Sequence, residues 1–153
     1  MEITLQNSLP VITSEKKILS FMTDSISVDG MKIDFPGEYE KSGFGIQVTE
    51  VGSLVYELQI EGKTVAFLPS TITEGDETLA GAFHDIDLLL VHSSKESVKL
   101  VELLEPRMVV PYGENIDALL LPLGQGSLES VDKYKTKEVD FEGENVVFVK
   151  LSA

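Results

Sequence analysis

The stretch DLLLVHSSKESVKLVELLEPRMVVPYG, residues 87–113, decides the fold of this chain. It contains a short apolar run at 87–91, a segment of helical periodicity at 95–104 and a second apolar run at 107–111. Those lengths and patterns predict a strand, a helix and a strand. Because a helical crossover joins them, we expect the two strands to be parallel and close to the middle of a sheet.

The helix in this unit has sequence signals at both ends. Ser93 and Glu96 have the spacing of a capping box, in which each side chain bonds the backbone N–H of the other residue. Pro106 cannot continue a helix and disfavours helical geometry at Glu105. The sequence therefore predicts a helix that is capped by Ser93 and ends before Pro106.

The first part of the chain, residues 1–68, alternates apolar and polar side chains in short runs, which predicts a series of antiparallel strands. The runs at 26–28 and 31–35 flank Asp29-Gly30, a dipeptide that favours a two-residue hairpin turn. In the second part, residues 73–83 and 115–123 predict short helices. A lysine-rich edge strand near 133–137 and a last apolar strand at 146–151 complete the prediction.

Composition predicts one soluble domain over residues 1–153. The formal net charge of -14 repels phosphate backbones and anionic lipid, so we expect neither nucleic acid nor membrane as a partner. The chain has no cysteine, which excludes disulfides and thiolate metal sites and fits a reducing compartment. Its first residues lack the pattern of a signal peptide, and a cytoplasmic location is therefore expected.

Ligands of open α/β sheets bind beyond the carboxyl ends of the parallel strands, which are here 92–94 and 112–114. We therefore predict Tyr112, His92 and Ser93 as ligand-binding residues. His92 and Ser93 could be a base and a nucleophile, but such catalysis also needs an orienting acid and an oxyanion hole. A capping serine beside a structural histidine explains the same residues, so no catalytic residue is predicted.

An alternative is a metal site formed by His84, Asp85 and Asp87 together with His92. Imidazole and carboxylate groups are metal ligands, but a site needs three or four of them to converge. A loop histidine beside solvated carboxylates accounts for the same pattern. We predict no metal and no cofactor, with zinc kept only under this alternative.

Three stretches of the chain together resemble the metallo-β-lactamase superfamily. They are IDFPGEYEKSGFGIQV (33–48), VYELQIEGKTVAFL (55–68) and DIDLLLVHSSKESVKLVELLEPRMVVPYG (85–113). The segments PGEYE and LEPRMVVP are similar to ones in its branch of small predicted zinc-dependent hydrolases. The resemblance implies an α/β (α+β) fold: a truncated αββα sandwich of two mixed β-sheets with helices on the outer faces.

The metal ligands of that family have no counterparts here. Its His-x-His-x-Asp-His loop would fall between Phe21 and Phe35, where the sequence MTDSISVDGMKID contains no histidine. The bridging aspartate would fall near Pro69 and Ser70, and the final histidine at Tyr112 or Gly113. The zinc-dependent mechanism therefore cannot be transferred to any residue of this chain.

These observations favour a non-catalytic binding or assembly module with a metallo-β-lactamase-like fold. A homodimer or another protein partner is expected, because a shortened sandwich would leave part of a sheet uncovered. The alternative function is a metal-dependent hydrolase with a degenerate or relocated site.

Overall fold

Tight hairpins at the start of the chain build the first of two β-sheets in the computed structural model, which describes residues 1–152. Its strands are β1 (Glu2–Gln6), β2 (Leu9–Ser14), β3 (Lys17–Phe21), β4 (Ile26–Val28), β5 (Met31–Ile33) and β12 (Lys133–Lys135), and their order is β12-β1-β2-β3-β4-β5. Asp29 and Gly30 join β4 to β5 with φ angles of 48° and 85°. Both are positive, as a type I′ hairpin requires, and the predicted turn is confirmed.

The second sheet combines an antiparallel half with a parallel half. Its strands are β6 (Gly37–Lys41), β7 (Phe44–Val51), β8 (Ser53–Ile60), β9 (Lys63–Phe67), β10 (Leu88–His92), β11 (Met108–Tyr112) and β13 (Val147–Phe148), in the order β13-β11-β10-β9-β8-β7-β6. Strands β6 to β9 pair antiparallel, whereas β10 pairs in parallel with both β9 and β11. The predicted parallel strand-helix-strand unit is confirmed.

The fold class is confirmed, but two of its details are corrected. Only the second sheet is mixed, because every pairing in the first sheet is antiparallel. Its first five strands are joined by short turns, which cannot connect parallel neighbours. Within residues 1–152, the helices also cover one outer face and not two, since α1 (Glu77–Gly81), α2 (Ser97–Leu104) and α3 (Asp117–Leu120) each place apolar residues in a cluster with the second sheet.

Two apolar layers hold these parts together. Between the sheets, the Phe67 ring lies 5.0 Å from Phe21, 5.8 Å from Tyr56 and 5.6 Å from Tyr112, measured between centroids. On the other face of the second sheet, Leu89 and Val91 of β10 pack in one cluster with Leu100 of α2. Strand β10 is therefore buried on both faces, which explains its uninterrupted apolar sequence. Among the described residues, no helix is long and apolar enough to cross a membrane.

Candidate ligand-binding site

A pocket of about 440 Å³ lies where β10 and β11 end. His92, Ser93 and Tyr112, the three residues predicted for ligand binding, all line it. Its other polar lining residues are Asn7, Ser8, Thr23 and Ser70, which are distant in the sequence, and Glu114 and Asn115, which follow β11. The pocket therefore lies at the carboxyl ends of the parallel strands, in the place that the strand-helix-strand pattern indicates.

Tyr112 forms a buried wall of this pocket. Its side chain is 2% exposed, and its hydroxyl donates a hydrogen bond of 2.7 Å to the carbonyl oxygen of Leu68. Burial raises the pKa of the Tyr112 hydroxyl far above its ordinary value, so the group stays neutral. Because its proton is already committed to Leu68, Tyr112 shapes the pocket and presents its ring, not a free hydroxyl.

Ser93 is a structural residue and not a helix cap. Its hydroxyl donates to the carbonyl oxygen of Ile116 at 2.8 Å and accepts from the backbone N–H of Leu119 at 3.1 Å. It thereby joins the end of β10 to α3. The predicted capping box is wrong: α2 starts at Ser97, and Glu96 at its N-cap makes no side-chain cap bond. Instead, the Ser94 hydroxyl accepts from the Ser97 N–H at 3.3 Å.

His92 is the reactive side chain that the pocket presents. It is half-buried, and its ring packs edge-on against Tyr112 with 5.6 Å between centroids. Gly113 makes this position possible: a Cβ there would lie 3.0 Å from both Cδ2 and Nε2 of His92. Gly113 also has a φ of 114°, which disfavours any other residue.

The β1–β2 turn forms the opposite wall, and sequence reasoning missed it. Asn7 and Ser8 take positive φ angles of 52° and 65°, and the Ser8 carbonyl accepts a 2.9 Å hydrogen bond from the Gly113 N–H. That bond ties the first sheet to the end of β11. Asn-Ser between two alternating runs signals a turn, but nothing in it predicts contact with residue 113.

The four residues of the alternative metal site are not brought together. His84 lies beside Glu57, with its Nδ1 2.8 Å from Oε1 of the carboxylate. Asp87 precedes β10 and accepts from the Thr64 N–H at 2.9 Å. His92 lies at the other end of that strand, about 16 Å away at the usual rise per residue.

The donor groups present do not fit the zinc that the sequence resemblance implies. Within residues 1–152, no group of three or more histidine and carboxylate side chains is placed to hold a metal ion. Only His92 and Glu114 among the pocket's lining residues carry such donors. A catalytic zinc generally needs three protein ligands, so the lining of this pocket does not supply a catalytic zinc site.

His84, one residue of the alternative set, forms an ion pair with Glu57, which lies outside that set. Glu57 is 5% exposed, and its Oε2 accepts from the His84 backbone N–H at 2.9 Å. The hydrogen bond to the Glu57 carboxylate, followed by its charge, raises the pKa of the His84 ring above 6.5. Glu57 was not predicted as a partner because 27 residues separate it from His84.

Comparison with solved structures identifies the fold. No protein-family model and no curated protein matches the sequence. A crystal structure of a predicted Zn-dependent hydrolase of the metallo-β-lactamase superfamily from Thermotoga maritima matches with a TM-score of 0.76 at 18% identity. The match covers 99% of this chain and 98% of that one, so the predicted truncation is not confirmed relative to this neighbour. The chain has a metallo-β-lactamase-like fold.

Proposed function

We propose that this protein binds a small polar ligand without catalysis, in the pocket at the ends of β10 and β11. The observation that carries the proposal is the lining itself. Hydroxyl, carboxamide and imidazole groups from both sheets converge on one pocket, while three metal-ligating side chains do not. Pockets that combine shape with a few convergent polar groups are typical of ligand sites.

The polar groups favour a neutral ligand that both donates and accepts hydrogen bonds. Asn7 and Asn115 offer amide donors and acceptors, and Thr23 and Ser70 offer hydroxyls. No lysine or arginine lines the pocket, and the net charge of -14 opposes an anion. Polyols and small amides have the matching chemistry.

Nuclear magnetic resonance can test this proposal, because the chain has two histidines. Their imidazole signals are recorded while neutral polyols and small amides are added one at a time. We expect the His92 signals to move with saturation for at least one compound while those of His84, which lies outside the pocket, stay fixed. If none of the polyols and small amides moved the His92 signals, the proposal of a neutral polar ligand would be contradicted.

A pocket variant and a matched control sharpen that test. Thr23→Val removes one lining hydroxyl, and Thr49→Val makes the same change on β7, away from the pocket. Thr23→Val should weaken binding about fivefold, the effect of one neutral hydrogen bond, and Thr49→Val should leave it unchanged. Equal affinities for the two variants would place the ligand elsewhere.

A metal-dependent hydrolase with a degenerate site is the second candidate. It is supported by the fold it shares with the Thermotoga maritima protein, and by His92 and Glu114 in one pocket. Phosphate and carboxylate ester substrates test it in the presence of Zn²⁺. Turnover that His92→Ala abolishes would replace the first proposal with this one.

We also propose self-association into a symmetric dimer through the outer face of the first sheet. No described helix covers that face, and Ile18 is 54% exposed on it. Isologous interfaces are the commonest route to homodimers. Analytical ultracentrifugation should show a dimer that Ile18→Lys dissociates, with Val139→Lys, an exposed position outside the sheets, as control. A monomer at all concentrations would contradict this part.

A further inference from the structure

A second groove, of about 450 Å³, lies on the outer face of the second sheet, away from the strand-end pocket. Glu38, Gln47 and Glu57 stand opposite one another across β6, β7 and β8. Glu57 is in turn opposite Ala66, which packs in the cluster with the helices. The three polar side chains therefore share the outer face, on the part of it that the helices leave open.

One wall of the groove is a buried carboxylate. Glu57 is 5% exposed, and each of its oxygens has one hydrogen-bond partner, both from His84. A carboxylate oxygen can accept two hydrogen bonds, so half of the acceptor capacity of Glu57 is unused. A buried charge gains stability from every further donor that reaches it.

The rest of the lining has the same preference for a donor. Glu38 adds a second carboxylate, and Gln47 and Gln59 add carbonyl oxygens. No lysine or arginine lines the groove, and the net charge of -14 adds a long-range attraction for cations. The side chain of His84 is 80% exposed, so it does not seal the groove.

We propose that this groove binds a guanidinium group, which Glu38 and Glu57 contact from two sides. A guanidinium carries five N–H donors in one plane and stays charged, which matches two carboxylates and two carboxamides. The group can belong to a small guanidine compound or to an arginine side chain of a peptide.

Titration with agmatine and with an acetylated, amidated Gly-Arg-Gly peptide separates these two sources. We expect the ring signals of His84 to move with saturation, because Glu57 holds that ring, while those of His92 stay fixed. The same peptide with citrulline in place of arginine keeps the shape and loses the charge, and it should not bind. Saturation by agmatine alone indicates a small ligand, whereas saturation by both indicates the guanidinium group itself.

Two charge-reversal variants complete the test. Glu38→Lys should weaken binding about tenfold, because a rim attraction becomes a repulsion. Glu114→Lys makes the same charge change in the strand-end pocket and should leave the affinity unchanged. The proposal would be overturned if both variants weakened binding equally or if the citrulline peptide bound. It would also be overturned if neither guanidinium compound shifted the His84 signals.

Discussion

At the scale of single residues, Gly113 determines how the candidate pocket is presented. It is the residue after β11, and a Cβ there would lie 3.0 Å from the His92 ring. The proposed role of His92 as the group that meets the ligand therefore depends on a residue with no side chain. Sequence alone showed that a glycine follows Tyr112, but the contact between them and His92 required the parallel register of β10 and β11.

We predict that Gly113→Ala destabilises the protein more than Gly43→Ala does. Both glycines have positive φ angles, 114° and 88°, but nothing lies within 4 Å of a Cβ at Gly43. Gly43→Ala should cost about 1 kcal/mol for the backbone alone. Gly113→Ala should cost about 1 kcal/mol more, since the added methyl group must displace the imidazole.

Urea denaturation of the two variants measures this difference, and imidazole signals report the position of His92. We expect the His92 signals to move in Gly113→Ala and to stay in place in Gly43→Ala. Equal stabilities with an unmoved His92 would show that the imidazole does not lie against Gly113.

The ion pair of His84 and Glu57 predicts a pH dependence. Because the pKa of His84 is raised above 6.5 in the folded protein, the folded state binds the proton more tightly than the unfolded state does. The stabilisation from the His84–Glu57 ion pair is therefore complete below pH 6.5. It is lost as the pH rises through the pKa of His84 in the folded protein. His84→Gln should remove this contribution, so its stability relative to the unmutated protein should recover as the pH rises.

Denaturation of both proteins across this pH range checks the prediction, with Gln59→Ala as a surface control in the same groove. A stability difference between His84→Gln and the unmutated protein that grows as the pH rises would have the wrong sign.

At the scale of the elements, Ser93 connects β10 to α3. Its hydroxyl bonds both Ile116 and Leu119 and is 5% exposed. Ser94, the next residue, is half-buried and serves the first turn of α2 instead. The two adjacent serines therefore perform different structural tasks.

We predict that Ser93→Ala is the more destabilising of two matched substitutions. It leaves the buried N–H of Leu119 without its partner and leaves the Ile116 carbonyl with only the 3.4 Å bond from the Leu120 N–H, at a cost of about 2 kcal/mol. Ser94→Ala removes a partly exposed cap and should cost about 0.5 to 1 kcal/mol. Thermal or urea unfolding measures both losses of stability. A larger loss for Ser94→Ala would show that the cap of α2 stabilises the protein more than the link from Ser93 to α3.

Sequence patterns predicted the elements well where the signal is local. The Asp29-Gly30 turn needs two adjacent residues, and the β10-α2-β11 unit needs one continuous stretch. The role of Ser93 was missed because its partners lie 23 and 26 residues further along the chain. The pocket was predicted from β10 and β11, but its wall of Asn7 and Ser8 belongs to the other sheet, which no local pattern connects to it.

At the scale of the whole molecule, the negative charge opposes the folded state. The chain has 26 acidic and 12 basic residues, and this excess repels itself more strongly when the chain is compact. Ion pairs such as Lys63–Glu138, at 2.8 Å, offset only part of it because at least one partner, here Glu138, is exposed to solvent.

We therefore predict that salt stabilises the protein. Raising the ionic strength to about 0.15 M shortens the screening length to about 8 Å and weakens the repulsion. The midpoint of thermal unfolding should rise with sodium chloride, and it should rise less in a variant in which exposed Glu142 and Glu144 are changed to glutamine. A midpoint that falls with salt would show that attractive ion pairs dominate.

The protein has a metallo-β-lactamase-like fold, and we propose that its strand-end pocket does not work through zinc. Isothermal titration calorimetry of the purified, metal-free protein with Zn²⁺ tests it most directly, with His92→Ala and His84→Ala measured alongside. We predict no stoichiometric zinc binding, because His92 and Glu114 supply only two ligands in the pocket. One zinc per chain, bound tightly and lost in His92→Ala but not in His84→Ala, would contradict the account.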